Sequence, residues 1–275
     1  MAQPSAPSTC VAVDTEFATN DGAPHLVELA AVRFSEGEAV DHFESLICPE
    51  VPIAPEASDV HGILEEDVRT APGASQVLSA FRDWLGSDPL IAHDVRADAF
   101  ALAIEYARHR LAPPEVALFD SLALVRKAFP ELADHRLATV AEALELETDG
   151  MHRALFDATL CWQVVEAAVE RLGGFGDDQE ARLAELCGTR LSFEKTTPGR
   201  PNRRPSIVRA LERASTEEAS VRLLYGEGAS PANLTVRPRW VYQVKKRGFL
   251  EAECGSSGLL KTYRLDRVQK VLAAD

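Results

Sequence analysis

The sequence predicts an α/β fold, a mixed sheet flanked by helices, followed by a small all-β part. Three observations predict it. Through the first two thirds, short apolar runs alternate with segments of helical period. The last third instead alternates apolar and polar residues at strand period, broken by turn residues. Charge divides along the same line. From Thr189 onward there are 17 Lys+Arg against 9 Asp+Glu, which leaves 12 basic and 34 acidic residues ahead of it. Such asymmetry points to two parts with different partners.

The elements follow in order. Residues 10–18, "CVAVDTEFA", form a β-branched apolar run and read as a strand. Residues 25–35 and 39–49 read as its neighbours in a meander, ended by Pro49, Pro52 and Pro55. In 75–87 the residues Val77, Leu78, Phe81, Trp84 and Leu85 fall on one helical stripe, and Gly86 stops it. Residues 89–94 read as a buried strand and 96–111 as a helix halted by Pro113 and Pro114. A short strand turning into a helix is expected over 116–129. Helices are expected over 136–146 and 153–174, the second closed by glycine.

Residues 180–189 read as one more short helix. The stretch "EKTTPGRPNRRPS" has linker composition and is locally basic. Beyond it, 206–216 reads as a helix, and 221–227, 233–244, 248–254 and 259–271 read as strands. The expected organisation is therefore a first domain over 9–175, a linker over 176–203 and a second domain over 204–275.

No apolar run reaches membrane-spanning length. "MAQPSAPSTC" lacks the basic-then-apolar pattern of a secretory leader, so a cytoplasmic location is the default expectation. Cys10, Cys48, Cys161, Cys187 and Cys254 are odd in number and widely spaced, which gives neither a disulfide framework nor a zinc knuckle.

Four acidic residues and one histidine carry the chemistry. Residues i and i+2 of a strand share a face, so Asp14 and Glu16 aim two carboxylates at one spot. Asp98 falls at the start of a helix, and Asp157 in the first turns of another. Mg²⁺ and Mn²⁺ prefer carboxylate oxygens. Two such ions about 4 Å apart can hold the attacking and leaving oxygens of a phosphodiester. His152, on the loop before Asp157, is placed to take a proton from water. Carboxylates at the end of a strand this apolar are costly without cations.

Taken together, these residues resemble the DEDDh 3′–5′ exonucleases, similar to the proofreading epsilon subunit of bacterial replicative polymerase. The resemblance spans about residues 9–172. Asp14 and Glu16 match the first motif, Asp98 the second, and His152 with Asp157 the third. "VHGILEEDV" and "HRLATVAEALEL" resemble the segments between them. It implies an RNase H-like fold, two Mg²⁺ or Mn²⁺ ions held by Asp14, Glu16, Asp98 and Asp157, and His152 as general base. It further implies release of nucleoside 5′-monophosphates from a 3′ end, with Thr15 and His93 as nucleic-acid contacts. The family's Thr-Thr-Gly after Glu16 is here Phe17, Ala18 and Thr19, and Phe17 is a ring that can stack on a base. The second motif departs from the family pattern, with Asp94 where Asn is usual and Ala97 where Phe is usual. Altered substrate preference is the expectation.

Residues from about 204 resemble a WYL domain, an SH3-like barrel found in bacterial regulators. The namesake Trp-Tyr-Leu is here Gly248, Phe249 and Leu250. The resemblance implies sensing of a nucleotide or a nucleic-acid strand. Arg237, Arg239, Arg264 and Arg267, with Trp240, Phe249 and Tyr263, mix guanidinium and aromatic groups as single-strand binders do. Alternation along the strands turns some of these inward, Tyr263 and Phe249 first.

The leading expectation is a metal-dependent 3′–5′ exonuclease acting on DNA by preference, with RNA the other substrate, whose WYL-like tail binds or senses nucleic acid. The alternatives are a non-catalytic regulator that binds nucleic-acid ends, and a proofreading subunit held by a polymerase.

Overall fold

The opening apolar run becomes β1 (Thr9–Asn20), followed by β2 (Ala23–Ser35) and β3 (Glu38–Leu46). In the computed structural model, residues 9–20, 23–176, 178–188, 190–228 and 230–274 are described. The segment read for a leader lies outside them, in part. β2 is buried almost throughout, whereas β3 is largely exposed and carries Glu38, Asp41 and Glu44 along a sheet edge. Charges on an edge strand discourage pairing with other chains.

Two helices occupy the proline-rich stretch after β3, for which the sequence predicts no element. In α1 (Pro55–His61) the proline stands at the first helical position, where its missing N–H costs nothing. Gly62 ends the helix at φ 69°, and α2 (Glu65–Val68) follows. Next come α3 (Ala74–Leu85), β4 (Leu90–Ala92), α4 (Arg96–Arg108) and β5 (Leu118–Asp120). The Asp120 carboxylate accepts from the Leu122 N–H and so caps α5 (Ser121–Ala128). α6 (Leu137–Ala143) and α7 (Ala154–Arg171) complete the expected series. The span expected to link the two parts carries α8 (Gln179–Cys187) and α9 (Phe193–Thr196), each with residues in a core.

The strands pair in the order β3-β2-β1-β4-β5, with β1, β4 and β5 parallel and β3 antiparallel to β2. Both faces are covered. Residues of α3, α4 and α9 pack on one, and residues of α5, α6, α7 and α8 on the other. Trp162 of α7 is fully buried and stacks on Phe34 at 4.7 Å. Such a pair contributes about 0.5–1.5 kcal/mol beyond its burial.

The described chain divides into two compact units. Of the described residues, the first draws on those within 9–18, 26–49 and 53–197, the second on those within 19–25, 50–52 and 198–274. In the second, α10 (Pro205–Thr216) precedes β6 (Val221–Tyr225), β7 (Ala232–Val244), β8 (Arg247–Cys254), β9 (Leu260–Arg264) and β10 (Val268–Ala273). They form one antiparallel sheet in the order β10-β6-β7-β8-β9. Residues 259–271, read as a single strand, are two. A 3₁₀ turn at Leu265–Arg267 breaks them, and Leu265 buries itself in the core there. A second irregularity is the bulge between Pro238 and Trp240 in β7. It changes which residues face inward, so Val236 and Val241 are both buried although their numbers differ in parity.

Candidate active site

The pleat of β1 sends three consecutive residues to two faces. Asp14 and Glu16 point toward the α7 side. Thr15 points toward α4, where its hydroxyl donates to Asp98 Oδ1 at 2.8 Å. Asp98 lies in the first turn of α4 and is buried. Asp157 lies in the first turn of α7, also buried, and its Oδ2 accepts the His152 N–H at 3.0 Å. His152 is exposed and sits at φ 67°, a left-handed backbone that costs a non-glycine residue about 1–2 kcal/mol. Its hydrogen bond to a carboxylate is worth about as much and holds the loop there.

Glu16, His152 and Asp157 each bring a ligand atom within 4.8 Å of the other two. The electrostatics are those of a crowded acidic cluster. Burial first, then repulsion from Asp98, Asp157 and Glu16, holds the Asp14 carboxyl well above the usual range. Glu16 is pushed up to about 8 by burial and by Asp157, and Asp98 to about 7 by burial. Burial also raises Asp157. Its Oδ1 is buried without a hydrogen-bond partner. An orphaned carboxylate oxygen among raised carboxyls fits a divalent cation, whose charge would offset the repulsion.

The family model RNase_T, described as Exonuclease, matches residues 11–165. The chain belongs to this exonuclease family. A DNA polymerase III PolC-type protein of Oceanobacillus iheyensis is 36% identical over 150 residues, covering 53% of this chain and 10% of that protein. The chain thus spans about a tenth of the curated relatives it matches. The nuclease domain of 3′hExo, a DEDDh family member bound to rAMP, shares the fold. Its TM-score is 0.55 at 19% identity, covering 62% of this chain and 94% of that one. Exonuclease I, whose structure suggests how processivity is achieved, gives a TM-score of 0.52 at 12% identity. That likeness covers 97% of this chain and 64% of the other.

Within this exonuclease domain, some expected contacts have other partners. His93 is half-buried and spends both ring nitrogens inside the protein. Nε2 donates to the His135 carbonyl at 2.7 Å, and Nδ1 accepts from the Ser121 hydroxyl at 2.9 Å. It is a brace between elements and has no nitrogen left for nucleic acid. Thr15 is buried, and its hydroxyl is committed to Asp98. Phe17 is partly buried against the α3/α4 core. Ala97 is exposed, so its small size opens no gap beside Asp98. Asp94 is exposed at φ 58°, and its charge adds to the rise of Asp98.

One residue at the exonuclease site was missed from sequence. Glu28 of β2 is almost wholly buried, and its Oε1 accepts from Arg153 Nη2 at 2.6 Å. Its Oε2 accepts the Ala154 N–H at 2.9 Å, capping α7 from another element. The hint in sequence is a carboxylate flanked by Leu26, Val27, Leu29 and Ala30.

The four arginines expected to bind nucleic acid in the second unit all meet carboxylates. Arg237 and Arg239 pair with Glu253, Arg264 with Asp266, and Arg267 with Glu227. Tyr263 is buried and packs edge-on to Tyr225, while Phe249 is half-buried. No helix among the described residues is long and apolar enough to cross a membrane.

Proposed function

We propose that this chain is a metal-dependent 3′–5′ exonuclease that releases nucleoside 5′-monophosphates, with DNA the preferred substrate and RNA the alternative. One observation carries the reading: Asp14, Glu16, Asp98 and Asp157 crowd together at raised pKa, with one buried oxygen of Asp157 left unpartnered. These four would hold two Mg²⁺ or Mn²⁺ ions. Such ions supply charge stabilisation to the attacking and leaving oxygens of a phosphodiester.

The remaining roles belong to the chain's own side chains. Thr15 fixes the rotamer of Asp98 through its hydroxyl. Asp157 fixes the backbone of His152. The exposed His152 imidazole takes the proton of the attacking water and passes it to solvent. Phe17 offers a partly exposed ring for the terminal base. Glu28 and Arg153 hold the entry to α7, and so the position of His152.

The C-terminal sheet, read as WYL-like, retains the nucleic-acid strand between cleavage steps. Its basic balance supports this, as does the likeness along nearly the whole chain to exonuclease I. A second reading, a proofreading module serving a polymerase, is favoured by the PolC-type relatives.

The test is a gel assay on 5′-labelled single-stranded DNA and RNA with Mg²⁺, Mn²⁺ or EDTA. The expected result is a metal-dependent ladder shortening from the 3′ end, absent from Asp157→Ala. No cleavage with either metal would sink the reading and favour a non-catalytic end-binding regulator.

A further inference from the structure

Cations in the second unit differ in whether a carboxylate holds them. Arg237, Arg239, Arg264 and Arg267 are all paired, and so are Arg200 with Glu212 and Arg213 with Glu217. The tip of the β7–β8 hairpin is different. Lys245, Lys246 and Arg247 are consecutive and exposed, and none has a carboxylate partner among the described residues.

The turn is also shaped against its composition. Val244 pairs with Arg247, which leaves Lys245 and Lys246 as a two-residue loop. Such loops demand a left-handed first residue, ordinarily glycine or asparagine. Lys245 takes that place at φ 55°. The two-residue turn accounts for that backbone and sets the three cations at the exposed tip.

The loop is braced from below. Gln243 exchanges two backbone hydrogen bonds with Gly199, at 2.7 and 3.1 Å, and its side chain donates to the Lys245 carbonyl at 2.8 Å. A row of rings starts beside it. Phe249 stacks on Tyr242 at 5.4 Å and Tyr242 on Trp240 at 4.1 Å, on the sheet face opposite the buried Val241 and Leu250. Tyr242 is itself buried, which leaves Phe249 and Trp240 as the half-exposed rings of the row. Unpaired cations beside a half-exposed ring are the parts from which sequence-tolerant single-strand sites are built.

We propose that the Lys245–Lys246–Arg247 tip, with Phe249 as its first ring, is where the second unit grips a single-stranded nucleic acid. The three cations contact consecutive phosphates, and the ring receives a base. This deepens the reading of the C-terminal sheet as a nucleic-acid binder and rests on it. It also moves the contact from the four arginines to a surface where no internal ion pair has to be broken first.

The test uses the full chain in EDTA, so that cleavage does not interfere. Affinity for a 5′-fluorescent oligothymidylate of about 20 nucleotides is followed by anisotropy from low to high salt. The log–log salt slope of the wild type should fall by about 2 in Lys245→Gln/Lys246→Gln/Arg247→Gln, at about 0.7 for each lost phosphate contact. Lys261→Gln/Lys270→Gln, which removes exposed cations from β9 and β10, should leave the slope unchanged. Lys245→Gly should lower the slope by about 0.7 while raising Tm, because glycine relieves the turn. An unchanged slope in a folded triple variant overturns the proposal, as does an equal fall in the control. A nuclease that gives no ladder with metal fails on a separate measurement, since this titration contains none.

Discussion

Glu28 and Arg153 stand 125 residues apart in the chain and meet as a forked ion pair whose acceptor side chain is 1% exposed. The pair lies directly beside the left-handed turn that presents His152. Glu28→Ala would leave the Ala154 N–H and the Arg153 guanidinium without their acceptor. The expected effects are a stability loss of about 1–3 kcal/mol and a fall in kcat larger than any rise in KM. Steady-state kinetics beside a denaturant titration check both, and an unaltered kcat in the destabilised protein would remove Glu28 from any positioning role.

Asp157→Asn separates hydrogen bonding from charge. The amide oxygen can still accept the His152 N–H, so the turn survives. The cation ligand does not, and cleavage should fall on the order of 10³-fold, the scale of losing one charge-stabilising group. In EDTA the same variant should melt no lower than the wild type, since one repelling carboxylate is gone. A marked drop in its metal-free Tm would mean that Asp157 acts mainly as scaffold.

Stability without metal should depend on pH with a definite sign. Glu16 is raised to about 8 and Asp98 to about 7, so the folded protein holds these protons more tightly than the unfolded chain does. Their contribution is complete below the unfolded pKa of about 4 and is lost as pH climbs through 7 and 8. Melting curves in EDTA should therefore shift downward between pH 5 and pH 9, most steeply below pH 7 and hardly at all above pH 8, and Mn²⁺ should flatten the trend. A metal-free Tm indifferent to pH across that window would contradict the crowded-carboxylate account.

His152→Ala should lower kcat by about 10²–10⁴-fold, the range for a positioned proton acceptor. Because a ligand atom of His152 also lies near Glu16 and Asp157, a rise in metal concentration distinguishes its roles. Activity that stays low in excess Mn²⁺ marks a base. Activity restored by metal marks a ligand.

Much of the first unit was legible because its signals are local. The spacing of Asp14 and Glu16, the stop at Gly86 and the helix preceding Pro113 each depend on a few neighbouring residues. What was not legible depends on distance or on exact register. Glu28 gives no sign of its partner until β2 and α7 are brought together. His93 looked available until Ser121 and the His135 carbonyl closed on its ring. The prolines near residue 52 suggested only an ending, while Pro55 in fact starts α1. In the second unit one bulge in β7 and one turn at Leu265 were enough to defeat simple alternation. The partners of Arg237 and Arg264 became visible only once the strands were paired.

The division of Asp14, Thr15 and Glu16 between two faces of β1 has a consequence for safety. A slip of one residue in that strand would turn both acids toward α4 and the threonine toward α7. In that register Asp14 and Glu16 no longer meet Asp157 and His152. The proposed cleavage of nucleic acid would then wait until the central strand has settled against β4 with Val11 opposite Leu90.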